Sequence, residues 1–84
     1  MKKSVMIVYL DSRQETAEKV QKVLTAWGCL IKTRLGIHDG VLEDCTPTGV
    51  LFLDLVGDTE KHKELEHKLN LIKNVDAKLI ELKF

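Results

Sequence analysis

The chain has 84 residues, with 13 acidic and 13 basic side chains and a formal net charge of zero at pH 7. A neutral chain has no overall electrostatic attraction for nucleic acid or for an anionic membrane, so we expect direct binding to neither. A hydrophobic content of 44% with a single proline excludes a disordered chain, and the length suits one domain over residues 1–84.

The cysteines and the N-terminal region bear on the cellular compartment. Cys29 and Cys45 are too few for a disulfide framework or a four-cysteine cluster, and they predict ordinary thiols in a reducing compartment. The apolar run Val5 to Leu10 is too short for the apolar core of a signal peptide or for a membrane span. We therefore expect a cytoplasmic protein.

The first half of the chain predicts a strand, a helix and a second strand. Val5 to Leu10 is typical of a central strand that is buried on both faces. Ser12 and Glu15 form a capping box, which predicts a helix that Gly28 should end as a C′ residue. That helix carries one apolar stripe, formed by Ala17, Val20, Val23, Leu24 and Trp27. Leu30 to Ile37 predicts the second strand, with a bulge or bend at Gly36.

The second half begins with a long loop. Residues 38–47 show no periodicity and carry Asp-Gly and Thr-Pro turn signals. Thr48 to Val56 predicts a third strand, Gly57 breaks it, and Asp58 or Thr59 should cap a second helix. The buried stripe of this helix should consist of Leu65, Leu69 and Ile72, and Val75 to Phe84 predicts the fourth strand.

The order β-α-β-β-α-β predicts an α+β fold of the ferredoxin-like βαββαβ kind. In its compact form, a four-stranded antiparallel sheet carries two helices on one face, and each helix is a right-handed crossover.

The third strand predicts an oligomer interface. Leu51, Leu53 and Leu55 can face the helices, and the alternate residues then form an uncovered apolar face: Val50, Phe52, Asp54 and Val56. We expect a second copy to cover it, as a homodimer or a tetramer. The alternative is that the long loop and Lys83-Phe84 fold back over it. The Asp54 carboxylate should pair with a Lys or Arg of the partner, or lie near the strand end in water.

The long loop raises a metal hypothesis. It collects five potential ligands of zinc, nickel or iron, namely His38, Asp39, Glu43, Asp44 and Cys45. Their spacing matches no established motif, so no metal or other cofactor is predicted, and His38 and Cys45 remain the alternative.

The other potentially reactive residues favour structural roles. His62 and His67 are five residues apart, which does not place them on one helical face, and we expect both at the surface. Trp27 should pack on the core, and Cys29 should be a buried, inert thiol.

We expect no enzyme. The sequence has no nucleophile with a base and an orienting group, no Walker loop and no GxGxxG. Asp11, Ser12 and Arg13 lead into the first helix, where a small anion or an amino-acid carboxylate could dock on the positive helix end. The alternative is that Ser12 only caps the helix.

Several segments carry a resemblance to a known family. They are the run from Ser12 through Thr16 to Val20 and Trp27-Gly28, then Thr33 to Ile37, Val50 to Asp58, and Asn74 to Lys78. These segments resemble the iron-only hydrogenase system regulators. The regulators are short ACT-like bacterial proteins, similar in fold to the C-terminal regulatory domain of the nickel-responsive repressor. The resemblance implies an ACT-type fold, oligomerisation, and a role in transcription regulation near hydrogenase assembly. The chain has no DNA-binding segment, so a stand-alone repressor is not expected.

We therefore interpret the chain as a regulatory ACT-like module that senses a small-molecule effector or binds a protein partner, and that works as a homo-oligomer. The predicted effector site lies at a subunit junction and consists of Asp11, Ser12, Arg13, Gly36, Ile37 and His38. The alternative is a metal-responsive or metal-carrying protein that uses the His38–Cys45 loop.

Overall fold

The computed structural model describes residues 1–11, 14–38 and 48–84. The chain forms β1 (Lys2–Asp11), α1 (Gln14–Ala26), a 3₁₀ turn (Gly28–Leu30), β2 (Ile31–His38), β3 (Thr48–Leu55), α2 (Thr59–Asn70) and β4 (Val75–Lys83). The strands form one antiparallel sheet in the order β2-β3-β1-β4. This is the predicted ferredoxin-like βαββαβ fold, with β1 and β3 in its centre.

The core lies between the sheet and the two helices. Alternate residues of each strand point to the helices, which is the period-2 pattern expected of a sheet covered on one side. The buried side chains are Met6, Val8 and Leu10 of β1, Val20 and Leu24 of α1, Leu53 and Leu55 of β3, Leu65 and Leu69 of α2, and Ala77 of β4. The predicted orientation of β3 is confirmed, because Leu53 and Leu55 are buried while Phe52 is 41% exposed.

The end of α1 differs from the prediction. The helix stops at Ala26, and Gly28 begins a 3₁₀ turn in which the Leu30 N–H donates to the Trp27 carbonyl oxygen at 3.0 Å. Gly28 does not have the positive φ of a C′ residue, because the chain tightens into this turn without reversing its backbone. Trp27 packs against the core, as predicted. Cys29 lies in the turn and is exposed, so the prediction of a buried thiol was wrong. Ser12 lies outside the described residues.

The bulge predicted in β2 is displaced. The register between β2 and β3 shifts between Ile31 and Thr33, while Gly36 pairs regularly with Leu51. The prediction of a bulge at Gly36 was therefore wrong, and the extra residue is Lys32, directly after the 3₁₀ turn. Gly36 instead lies close to its partner strand: a Cβ atom there would be 3.2 Å from the Leu51 side chain.

The second helix begins and packs mostly as expected. The Asp58 side chain accepts a hydrogen bond from the Glu60 N–H at 3.1 Å, which confirms the predicted cap. His67 is exposed, but His62 is only 2% exposed, so the prediction of a surface position for His62 was wrong. The reason is helical spacing, since His62 lies three residues before Leu65 and seven before Leu69, on the stripe that faces the sheet.

Side chains of α2 protect the edge strand β4. The Asn70 side chain accepts from the Ala77 N–H at 2.7 Å and donates to the Ala77 carbonyl oxygen at 3.0 Å. Glu66 accepts from the Leu79 N–H at 2.6 Å. These bonds occupy backbone groups that an edge strand would otherwise offer to another chain.

We expect Asn70→Ala to lower the free energy of unfolding by about 1–2 kcal/mol, because two hydrogen bonds to the edge of β4 are lost. Urea denaturation followed by circular dichroism measures this change. Lys68→Ala is the matched control on the exposed part of the same helix and should change the stability by less than about 0.5 kcal/mol. An Asn70→Ala protein as stable as the control variant would show that these bonds contribute nothing.

None of the helices in the described ranges is long and apolar enough to cross a membrane.

Candidate functional site

A cleft of about 510 Å³ opens at one end of the sheet, where β1 ends and β3 and β4 begin. Antiparallel pairing brings these three strand ends together, because Asp11 lies opposite Thr48 and Leu10 lies opposite Val75. We call this the larger cleft. It is lined by Tyr9, Leu10, Asp11, Thr48, Asn74, Val75 and Asp76.

A backbone hydrogen bond shapes the wall of the larger cleft. The Asp11 N–H donates to the Asn74 carbonyl oxygen at 3.1 Å, which ties the end of β1 to the turn before β4. Asn74 has a φ of 66°, in the left-handed region that asparagine adopts more readily than most residues. The turn thus places the Asn74 side chain and the following Asp76 at the same cleft.

The chemistry of the larger cleft is acidic with one aromatic ring. Asp11 and Asp76 contribute two carboxylates, and Tyr9, which is 48% exposed, lies opposite Asp76 in the β1–β4 register. Carboxylates attract a cation by charge, and the face of a tyrosine ring attracts one through its quadrupole. The larger cleft therefore suits a small ligand that carries an ammonium group.

A smaller cleft of about 170 Å³ adjoins the first and shares Asp11 and Asn74 with it. Its other lining residues are Glu15, Thr16, Lys19, Ile72 and Lys73. Lys19 lies 3.6 Å from Glu15 across one helical turn, and α1 begins beside the smaller cleft at Gln14. Asp11 and Glu15 balance the charges of Lys19 and Lys73 in this cleft, and the first turn of α1 adds the positive end of a helix dipole, which favours a negative group. The acidic side chains of the larger cleft and the positive end of α1 therefore lie along one surface, as the recognition of a zwitterion requires.

The predicted effector residues divide into two groups. Asp11 lines both clefts, and Ser12 and Arg13 lie outside the described residues. Gly36, Ile37 and His38 belong to β2, which β3 separates from β1, so their backbone is roughly 10 Å from that of β1. The side chains of Ile37 and His38 also lie outside the described residues. Both groups of predicted effector residues therefore lie at the same end of the sheet, but they do not form one site.

Among the lining residues of the larger cleft, sequence reasoning named only Asp11 as a site residue and missed the polar residues Tyr9, Thr48, Asn74 and Asp76. A signal for them was present, because the predicted βαββαβ fold is one in which β1 and β4 are antiparallel neighbours, as the structure shows. The residues that follow the second helix should therefore have been considered together with Asp11.

The metal hypothesis stays a prediction. Within the part of the chain that the structure describes, no group of three or more histidine, cysteine, aspartate or glutamate side chains could hold a metal ion. His38 ends β2, and Asp39, Glu43, Asp44 and Cys45 lie outside the described residues.

The sheet face opposite the helices, here called the outer face, is apolar and exposed. The register aligns Leu35 with Phe52 and Phe52 with Ile7 across three strands. Leu35 is 56% exposed and Phe52 is 41% exposed. The same face carries Val5, Tyr9, Val50, Ile80 and Leu82, and Val56, directly after β3, is also exposed.

The two predictions about the outer face have different outcomes. The Asp54 carboxylate forms an ion pair with the Lys3 ammonium of the same chain, and Asp54 is the next-to-last residue of β3 with a side chain that is 34% accessible, as the strand-end alternative predicted. The two side chains meet because Asp54 lies opposite Val5, two residues from Lys3 on the adjacent strand. The C-terminus does not fold back over the outer face, since Phe84 is 97% exposed; residues 39–47 of the loop lie outside the described residues.

Comparison with known proteins gives structural matches only. The sequence matches no known protein family and no curated protein. An uncharacterized protein from Thermotoga maritima, TM1266, is similar in structure with a TM-score of 0.83 and 25% identity, over 99% of this chain and 100% of that chain.

Two further structures show the same fold at lower identity. The ACT domain of the GTP pyrophosphokinase of Chlorobium tepidum has a TM-score of 0.66 and 17% identity, over 95% of this chain and 97% of that chain. The nitrogen regulatory PII-like protein CPII of Thiomonas intermedia K12, bound to ADP, AMP and bicarbonate, has a TM-score of 0.58 and 11% identity, over 100% and 96%. The fold of this chain is therefore ACT-like.

Proposed function

We propose that this protein is a regulatory module that senses a small ligand, that it is not an enzyme, and that its copies associate with one another. The ligand is an amine-bearing molecule of amino-acid size, held in the larger cleft. The observation that carries this proposal is the Asp76 carboxylate, which lies opposite Tyr9 in the β1–β4 register and lines a cleft of about 510 Å³. A volume of this size lies in the range of small-molecule sites.

The charges at the larger cleft favour an amino acid over a nucleotide. The PII-like protein CPII is bound to ADP and AMP, but phosphate groups would meet Asp11 and Asp76 here, and like charges repel. An amino acid avoids this conflict, because its ammonium group faces Asp76 while its carboxylate points to Lys73 and the start of α1 in the smaller cleft, where Lys19 lies 3.6 Å from Glu15. Recognition of both ends of a zwitterion gives selectivity against simple amines and simple acids.

The proposal that the protein is not an enzyme has support from the lining of the larger cleft. Its described polar side chains are two aspartates, a tyrosine, a threonine and an asparagine, and among them no carboxylate base is set beside a histidine, lysine or cysteine. Such a cleft can hold a ligand and report its presence through the strand ends that form it.

The regulated process is a separate part of the proposal. A role near iron-only hydrogenase expression or maturation rests on the family resemblance of the sequence alone. The alternative of a metal-responsive protein that uses His38 and Cys45 rests on the composition of the loop. Measuring bound metal in the purified protein and in a His38→Ala/Cys45→Ala double variant tests that alternative, and equal metal content would rule it out.

We expect at least one of the twenty L-amino acids, tested singly at millimolar concentration, to raise the melting temperature of the protein. Asp76→Asn should weaken binding of that amino acid at least roughly tenfold in isothermal titration calorimetry, since one charge-assisted contact is lost. The fold should tolerate this change because Asp76 is exposed.

Glu81→Gln is the matched control, because it removes an exposed acid from the same strand at a distance from both clefts. It should leave the affinity unchanged. Stabilisation by AMP or ADP with no response to any amino acid would overturn the assignment of an amine ligand. A protein that responds to neither class would overturn the sensing function.

A further inference from the structure

The outer face is large enough for a stable interface. A sheet of four strands spaced about 4.8 Å apart, each eight residues long at about 3.3 Å per residue, measures roughly 19 by 26 Å. Its flat area is about 500 Å², and the protruding side chains add to the accessible surface. Two such faces in contact bury roughly 1,000 Å² or more, which reaches the lower range of specific interfaces. This area includes the end of the outer face where Tyr9 lies opposite Asp76, so a sandwich of two outer faces places the larger cleft at the junction between the two copies.

The sheet edges offer poorer routes to association. The edge of β4 is occupied at Ala77 and Leu79 by side chains of α2. The edge strand β2 carries exposed Lys32 and Arg34, and pairing two copies of β2 would bring like charges together. The apolar surface is on the outer face, and the described residues leave it uncovered.

The charge of the outer face fits an identical partner. The chain is formally neutral, so two copies have no net charge repulsion. Lys3 and Asp54 neutralise each other within the face, and the register also places Lys78 opposite Ile7 and Asp76 opposite Tyr9, so the remaining charges are of both signs. A membrane surface or a nucleic acid would require an excess of positive charge instead.

We propose that two copies pack outer face to outer face as a two-fold sheet sandwich, and that the Lys3–Asp54 ion pair controls this association. The inference rests on the self-association proposed above and adds the surface and the controlling residues. In one copy alone the pair is partly exposed, with side chains 44% and 34% accessible, so it contributes little to folding. In the sandwich both charges lose water, and each then depends on the other for its neutralisation.

The first experiment locates the interface. Sedimentation equilibrium of the wild-type protein should show a dimer, and Phe52→Lys should raise the dimer dissociation constant at least roughly 100-fold, because it places an unpaired charge within the sandwich. Leu71→Lys is the matched control: Leu71 is 68% exposed at the end of α2, away from the sheet. It should leave the dissociation constant within about threefold of wild type.

Two outcomes of this experiment have different meanings. A wild-type protein that is monomeric at millimolar concentration would overturn self-association itself. A wild-type dimer that Phe52→Lys leaves intact would overturn only the outer-face interface and would point to the free edge of β2.

The second experiment tests the ion pair with a double-mutant cycle. Lys3→Met and Asp54→Leu should each weaken the dimer roughly 100-fold, since each leaves an uncompensated charge at the interface. The double variant should return to within about tenfold of wild type, because both charges are gone and apolar side chains replace them. Single variants that dimerise as well as wild type, or a double variant as weak as the product of the singles, would overturn the role of the pair.

A folding control accompanies the cycle. Circular dichroism at concentrations where every variant is monomeric should show equal melting temperatures within a few degrees, since the pair is partly exposed in one copy. Large differences at that dilution would show that the pair stabilises the fold and not the association.

Discussion

Replacing His62 by alanine is expected to lower the free energy of unfolding by about 2–4 kcal/mol. For a domain of this length that corresponds to a fall in melting temperature of roughly 10–25 °C. His62 is 2% exposed, and its Nε2–H donates to the Val56 carbonyl oxygen at 2.8 Å. The alanine variant loses this bond and leaves a cavity of imidazole size under α2.

The position of Val56 explains why the bond matters. Its carbonyl oxygen accepts from His62, while its N–H donates to the Leu30 carbonyl oxygen at 2.8 Å. One residue thus joins the second helix to the 3₁₀ turn that follows the first helix. Loss of His62 should loosen this junction as well as the local packing.

Two further variants separate packing from hydrogen bonding at His62. Phenylalanine fills the space without the bond, and it removes the buried Nδ1 atom, which has no hydrogen-bond partner in the described part of the chain. We expect His62→Phe to be more stable than His62→Ala and less stable than wild type. His67→Ala, on the exposed side of α2, should change stability by less than about 0.5 kcal/mol.

The His62 series is measured by urea denaturation at one protein concentration, because self-association shifts the apparent stability of a folded protein. A His62→Ala variant within 0.5 kcal/mol of wild type would contradict this account of the junction. A His62→Phe variant as unstable as His62→Ala would assign the whole effect to the hydrogen bond.

Strand and helix periodicity predicted the fold because its signals are local. In β3 the residues Leu53 and Leu55 alternate with Phe52 and Asp54, and a one-residue change of register would have placed all of them on the wrong face. The Asp58 side chain caps α2 by accepting a hydrogen bond from a backbone N–H two residues along the chain, and this cap was also predicted. Local chemistry of this kind does not depend on distant parts of the chain.

The misjudged residues depend on tertiary placement. Cys29 was expected to be buried between the first helix and the second strand, but the 3₁₀ turn intervenes and exposes it. Asp54 was expected to pair with a cation of another copy or to lie near the strand end in water, since nothing in the sequence shows that Lys3, 51 residues away, approaches it. His62 differs from both, since its spacing from Leu65 was visible in the sequence, but it was compared only with His67.

The candidate site was only partly predictable for the same reason. Asp11 follows directly from its place after the first strand. Tyr9 and Asp76 meet only when the β1–β4 register is known, and a shift of one residue would separate them. The lining of the larger cleft comes from three strand ends that are far apart in the sequence. They lie close together only in the folded sheet, so the sequence alone does not predict the lining.

Gly57→Ala is expected to lower the free energy of unfolding by about 2–3 kcal/mol. Gly57 has a φ of 95°, a backbone conformation that a residue with a Cβ atom adopts only under strain. A Cβ atom there would also lie 3.0 Å from the Leu30 Cδ2 atom, so the 3₁₀ turn would have to shift. Because Leu30 also accepts the Val56 N–H, the strain should reach the junction that His62 supports.

Gly28→Ala provides the matched control, because it makes the same chemical change in the neighbouring 3₁₀ turn. Gly28 does not have a positive φ, and a Cβ atom there would meet nothing within 4 Å. We expect this variant to be as stable as wild type or more stable by up to about 1 kcal/mol, since alanine restricts the unfolded chain. If denaturation shows equal losses for both variants, the conformation of Gly57 is not the cause. If the double variant Gly57→Ala/His62→Ala loses less than the sum of the two single variants, the two residues stabilise one common junction, as the shared contacts of Val56 and Leu30 require.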